Sequence, residues 1–199
     1  WVDLTARRIA LIGNAASAVQ FVPQIAPQVA QLTVFQRSAN WLLPRNDEPA
    51  LQQVGERLKA AVGELFAGSL AIRAVDAGSC NGCELEIHAL NNPYYGIERF
   101  GVHFVASPRH ADMLLVTGPV SRNMEAALRR TYDATPDPKL VIAMGECGAN
   151  GGEFGVSYAS CGAVANVIPV DAVVRGCPPA PLDLMRGILE AIGQRAAAK

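Results

Sequence analysis

Leu70-Ala-Ile-Arg-Ala-Val-Asp-Ala-Gly-Ser-Cys-Asn-Gly-Cys83 runs from a short apolar strand, residues 70–75, directly into a glycine-flanked CxxC pair. Met113-Leu-Leu-Val-Thr117 is a second apolar run, and Leu140-Val-Ile-Ala-Met144 a third that leads straight into Gly145-Glu-Cys147. Val102 to Val105 and Val167 to Val170 complete the set of expected strands, and Cys177 follows shortly after the last. Helical spacing is found near residues 84–90, 122–132 and 181–192. Short apolar strands alternating with helices predict an α/β fold, a parallel sheet with helices on both faces. In such a sheet the loops beyond the strand C-termini converge on one edge, where sites form.

Upstream of this block the pattern changes. Leu51, Val54, Leu58, Val62 and Leu65 recur at spacings of three and four, which predicts a linker helix over residues 50–67, within a 46–69 segment. Before it, Arg8 to Ile12, Ser17 to about Ala30 and Leu32 to Gln36 read strand, helix, strand. The expected organisation is a βαβ appendage over 1–45, the linker helix, and a main domain over 70–199.

Composition narrows the function. Half of the 199 residues are hydrophobic, enough for a core, and 17 basic against 18 acidic side chains leave no footprint for nucleic acid. No apolar run is long enough to span a bilayer. The chain opens Trp1-Val-Asp3 rather than with a basic then apolar leader, so a cytosolic or cytosol-facing fragment or trimmed chain is expected. Five widely spaced cysteines, an odd number, make a disulfide framework a poor reading.

Metal or redox chemistry is the better expectation, on Cys80, Cys83, Cys147 and Cys177. All four are placed after strands and flanked by glycines that let backbone approach a bound group closely. An iron–sulfur cluster needs such thiolates wrapped by close loops. Structural zinc is the rival, although zinc ribbons present two CxxC knuckles and here two cysteines stand alone. Buried or redox-active thiols are the third reading. Cys161 reads as a small buried hydrophobe and as the first substitute should one of the four be wrong.

The segment Val75-Asp-Ala-Gly-Ser-Cys-Asn-Gly-Cys-Glu-Leu-Glu-Ile-His-Ala-Leu-Asn-Asn-Pro93 resembles the small iron–sulfur subunit of membrane-bound, group 4 [NiFe] hydrogenases, homologous to the 20-kDa, B-type subunit of respiratory complex I. The likeness continues through Arg99-Phe-Gly101, Ser107 to Asp112, Thr117-Gly-Pro-Val120, Gly145-Glu-Cys-Gly148 and Val170 to Pro179, covering about 70–192. The resemblance implies a flavodoxin-like core and one [4Fe–4S] cluster on Cys80, Cys83, Cys147 and Cys177. It also implies a large catalytic subunit and a ferredoxin-like iron–sulfur subunit as partners, and a place on the cytosolic side of a membrane held through them. Complex I subunits carry adjacent cysteines at the first position; Asn81-Gly82 between them here favours the hydrogenase branch. Such a chain alone turns over neither hydrogen nor quinone. Glu84 reads as a proton gate or a helix cap, the cap being favoured. His110 reads as a partner contact or a structural histidine, and Arg73, Arg109 and Arg175 as counter-charges to a cluster or as solvated side chains.

Residues 8–45 resemble a different family, the NADPH-binding half of Baeyer–Villiger-type flavin monooxygenases. The likeness lies in Ile9-Ala-Leu-Ile-Gly-Asn-Ala-Ala-Ser-Ala-Val-Gln20 and Leu32-Thr-Val-Phe-Gln-Arg-Ser-Ala-Asn-Trp41. It implies a remnant NADPH site at Gly13, Ser17 and Arg37. Ala15 and Ala18 replace the other two glycines of the turn, and no FAD-binding half is present, so monooxygenase activity is not expected.

Overall fold

Every residue of Met113–Thr117 (β5) and Leu140–Met144 (β7) is buried, as expected of strands covered on both faces. The computed structural model describes residues 8–12, 31–35 and 48–197. The chain divides into two compact units, 1–46 and 47–199. In the first, Arg8–Ile12 (β1) pairs in parallel with Gln31–Phe35 (β2), one residue earlier than the expected second strand. The expected intervening helix lies outside the described residues.

In the second unit Glu48–Phe66 (α1) leads to Leu70–Asp76 (β3), Gly82–Leu90 (α2) and Val102–Phe104 (β4). After β5 come Val120–Ser121 (β6) and Arg122–Ala134 (α3). Gly145–Asn150 (α4) follows β7, then Ser160–Gly162 (β8), Ala172–Val174 (β9) and Pro181–Ala197 (α5). The main sheet has the order β4-β3-β5-β7-β9, parallel throughout. Counting only the strands of this sheet, the order is second, first, third, fourth, fifth, the doubly wound flavodoxin-like order with its switch point between β3 and β5.

The period of two along each strand builds two cores. Met113, Leu115, Leu140, Ile142 and Met144 face a cluster completed by α1, α2 and α5. Leu114, Val116, Val141 and Ala143 face the other, completed by Leu128 of α3 and by Cys161, Val164, Val167 and Ile168. The helix expected as a linker lies within this unit: Leu51, Val54, Leu58 and Val62 are buried in the first core.

The last strand is not where the sequence pattern puts it. Val167 and Ile168 are buried beneath α3 rather than paired in the sheet, and the ladder is made by 172–174. Asp171 fixes the true register: its N–H donates to the Val141 carbonyl at 2.9 Å, and its carboxylate accepts from the Val141 N–H at 2.7 Å. Asp112 does the same for β3 and β5, giving its N–H to the Ala71 carbonyl and accepting from the Ala71 N–H. The antiparallel β6–β8 pair has no counterpart in the sequence pattern.

Candidate metal centre

Three strand ends deliver the four cysteines. Beyond β3, the Asp76 carboxylate accepts from the Gly78 and Ser79 N–H groups, both at 2.8 Å, and curls the chain so that Cys80 lies at the sheet edge. Asn81 takes a left-handed conformation and α2 begins at Gly82, so Cys83 sits in its first turn. Beyond β7, Cys147 lies inside α4, a short helix where a loop was expected, closed by the Gly151 N–H on the Cys147 carbonyl at 2.9 Å. Beyond β9, Cys177 stands exposed before Pro178.

All four line one cavity of about 110 Å³, with Gly82, Gly118, Gly176 and Pro178 completing its wall. Two glycines are required by that closeness. A Cβ on Gly145, whose φ is +81°, would lie 2.7 Å from Cys83 Sγ, and one on Gly152, φ +54°, would lie 2.8 Å from Cys147 Sγ. The thiols also feel one another. Burial, then Glu84, then Cys80, Cys147 and Cys177 push the Cys83 thiol up to about 12. Burial, followed by Cys177 and Cys80, raises Cys147. Without a cation beside them, Cys83 and Cys147 resist becoming thiolates.

Four thiols around one cavity are a donor set that an iron–sulfur cluster takes, as does zinc. Among the described residues, no three His, Cys, Asp or Glu side chains close tightly enough to hold a single metal ion.

The other singled-out residues divide clearly. Cys161 is buried in β8, its Sγ donating to Glu125 Oε2 at 3.3 Å, and takes no part in the cavity. Arg109 and His110 lie in the turn before β5, at the opposite end of that strand from the cysteines. Arg73 is midway along β3. Arg175 alone of the three arginines reaches the site, its Nη1 donating to Glu146 Oε2 at 3.0 Å. Glu84 does not cap α2: its Oε1 accepts from the Thr117 hydroxyl at the end of β5, and its Oε2 is buried without a partner. Thr117 and Glu146 were not singled out by the sequence; their partners lie 33 and 29 residues away, beyond any local pattern. Gly13, Ser17 and Arg37 lie outside the described residues.

The family described as NADH ubiquinone oxidoreductase, 20 Kd subunit, matches residues 80–191, more than half the chain and all four cavity cysteines. The chain belongs to that family. Within this 20-kDa subunit family it is 41% identical over 160 residues to formate hydrogenlyase subunit 7 of Escherichia coli, covering 78% of this chain and 63% of the relative's length. It is 48% identical over 118 residues to the "probable membrane-bound hydrogenase subunit mbhJ" of Pyrococcus furiosus, covering 59% of this chain and 71% of that one. A solved chain of the membrane-bound sulfane sulfur reductase, an archaeal respiratory membrane complex, superimposes with a TM-score of 0.59 at 34% identity. That match covers 72% of this chain and 78% of the other. The chain thus spans under two thirds of the length of formate hydrogenlyase subunit 7 while sharing the 20-kDa subunit family's matched region. No helix among its described residues is long and apolar enough to cross a membrane.

Proposed function

We propose that this chain is an electron-relay subunit holding one [4Fe–4S] cluster on Cys80, Cys83, Cys147 and Cys177. The observation that carries the reading is four cysteines, from three strand ends, lining one cavity. Such a cluster, once bound, supplies a one-electron store whose potential its surroundings tune. The chain's own residues hold it: the four thiols give up their protons, and Gly145 and Gly152 leave room for the sulfurs to sit close to backbone. Pro178 stiffens the loop beside Cys177.

Electrons pass through this cluster between a large catalytic subunit of the hydrogenase or complex I type and a ferredoxin-like iron–sulfur subunit. Relatives named as formate hydrogenlyase and membrane-bound hydrogenase subunits, together with the separated CxxC pair, favour the hydrogenase branch over a quinone reductase. The chain is held at the cytosolic face of the membrane through those partners; its free cysteines suit a reducing compartment. Anaerobic reconstitution with iron and sulfide tests the reading. About four irons per chain and a broad brown absorbance are expected; a colourless protein with one zinc overturns it.

A further inference from the structure

The loops carrying Cys147 and Cys177 are joined twice. The Glu146 N–H donates to the Gly176 carbonyl at 3.0 Å, and Arg175 Nη1 donates to Glu146 Oε2 at 3.0 Å. Glu146 lines the cavity, and Arg175, 66% exposed, meets it from the solvent side. A solvent-exposed pair of this kind adds little to folding, yet it places one positive and one negative charge beside the same two cysteines.

We propose that Glu146 and Arg175 form a balanced positioning pair that sets the reduction potential of the cluster. The inference rests on the cluster reading above. When a low-potential donor such as dithionite gives up one electron to the cluster, the donor is oxidised and the cluster gains one negative charge. A nearby guanidinium favours that reduced form, and a nearby carboxylate opposes it. Held 3.0 Å apart, the two fields nearly cancel, and removing either partner exposes the other. Arg73, in mid-strand, and Arg109, at the far end of β5, do not stand beside the site to compensate. Glu84, and Glu153, whose charge also acts on Cys147, remain the same in every variant and shift no comparison.

The test is a redox titration of the reconstituted full chain, followed by electron paramagnetic resonance, with iron per chain measured alongside. Glu146→Gln is expected to move the midpoint upward, Arg175→Gln downward, and the double variant back toward the parent. Unmoved midpoints, or two shifts of the same sign that sum in the double variant, overturn the pairing, since loosened loops rather than charge would then be responsible. Should a Gln variant lose its iron, Glu146→Asp and Arg175→Lys decide: retained iron with a parent-like midpoint supports the pair, and equal loss overturns it. Iron-free parent protein overturns the cluster itself, whereas an iron-loaded parent with unmoved variants overturns only the pair.

Discussion

Gly145→Ala tests the cradle in a single atom. The φ of +81° costs a residue with a Cβ about 1–2 kcal/mol whatever the space around it. The new methyl also lies 2.7 Å from Cys83 Sγ and 3.4 Å from the Gly176 carbonyl oxygen. If the sulfur stays, this overlap adds an overpacking cost of about 1–3 kcal/mol. If the sulfur instead rotates about χ1, the overlap is relieved and the thiol leaves the cavity. Either way the metal-free chain loses at least the backbone contribution, about 2–8 °C in melting temperature at about 2–4 °C per kcal/mol, and iron loading drops. Thermal unfolding followed by circular dichroism gives the first quantity, and iron analysis after reconstitution the second. Gly63→Ala is the control, because nothing lies within 4 Å of its Cβ position and alanine is the better helix former by about 1 kcal/mol. A Gly145→Ala chain that melts with the parent and takes up full iron refutes the claim that backbone closeness shapes this site.

Serine at Cys80, Cys83, Cys147 or Cys177 is expected to lower iron per chain and bleach the visible absorbance, while Cys161→Ser keeps both; iron retained by all four single variants would discard the ligand set. Raising pH through the range between 9.0 and about 12 should weaken the metal-free fold, because Cys83 holds its proton when folded and releases it more readily when unfolded. Below that window its contribution is fully present, and urea midpoints that rise with pH across it contradict the sign. Asp171→Ala leaves the N–H of Val141, 1% exposed, without its carboxylate partner. A loss of about 1–3 kcal/mol in urea unfolding follows, and an unchanged midpoint shows that β9 is registered by other means.

How much of this was legible depended on whether the deciding contact was local. β5 and β7 announce themselves as unbroken apolar runs, and their alternation between two cores follows from strand geometry alone. The convergence of cysteine loops on one edge was legible for the same reason, since parallel strands all point their C-termini one way. Val167 to Val170 misled because apolar content does not distinguish a paired strand from a plug beneath a helix; only the Asp171–Val141 contact, 30 residues apart, does. α4 was invisible because Gly-Glu-Cys-Gly-Ala-Asn has neither apolar period nor length, and it forms only where β7 ends. The tie between Glu84 and Thr117 likewise spans 33 residues, so a carboxylate in a first helical turn looked like a cap.

Asp112 and Asp171 sit at the far edge of the sheet, yet they govern distances at the cysteine edge. Each clamps one strand against its neighbour, and every cysteine lies within four residues of a strand end or in the helix turn that follows. A slip of one step along β9 would carry Cys177 some 3.3 Å along the strand axis. The chain therefore has a tolerant side and an intolerant one: the loops entering the strands can lengthen beyond Asp112 and Asp171, while the short exits are held in length by the closeness of the four cysteines.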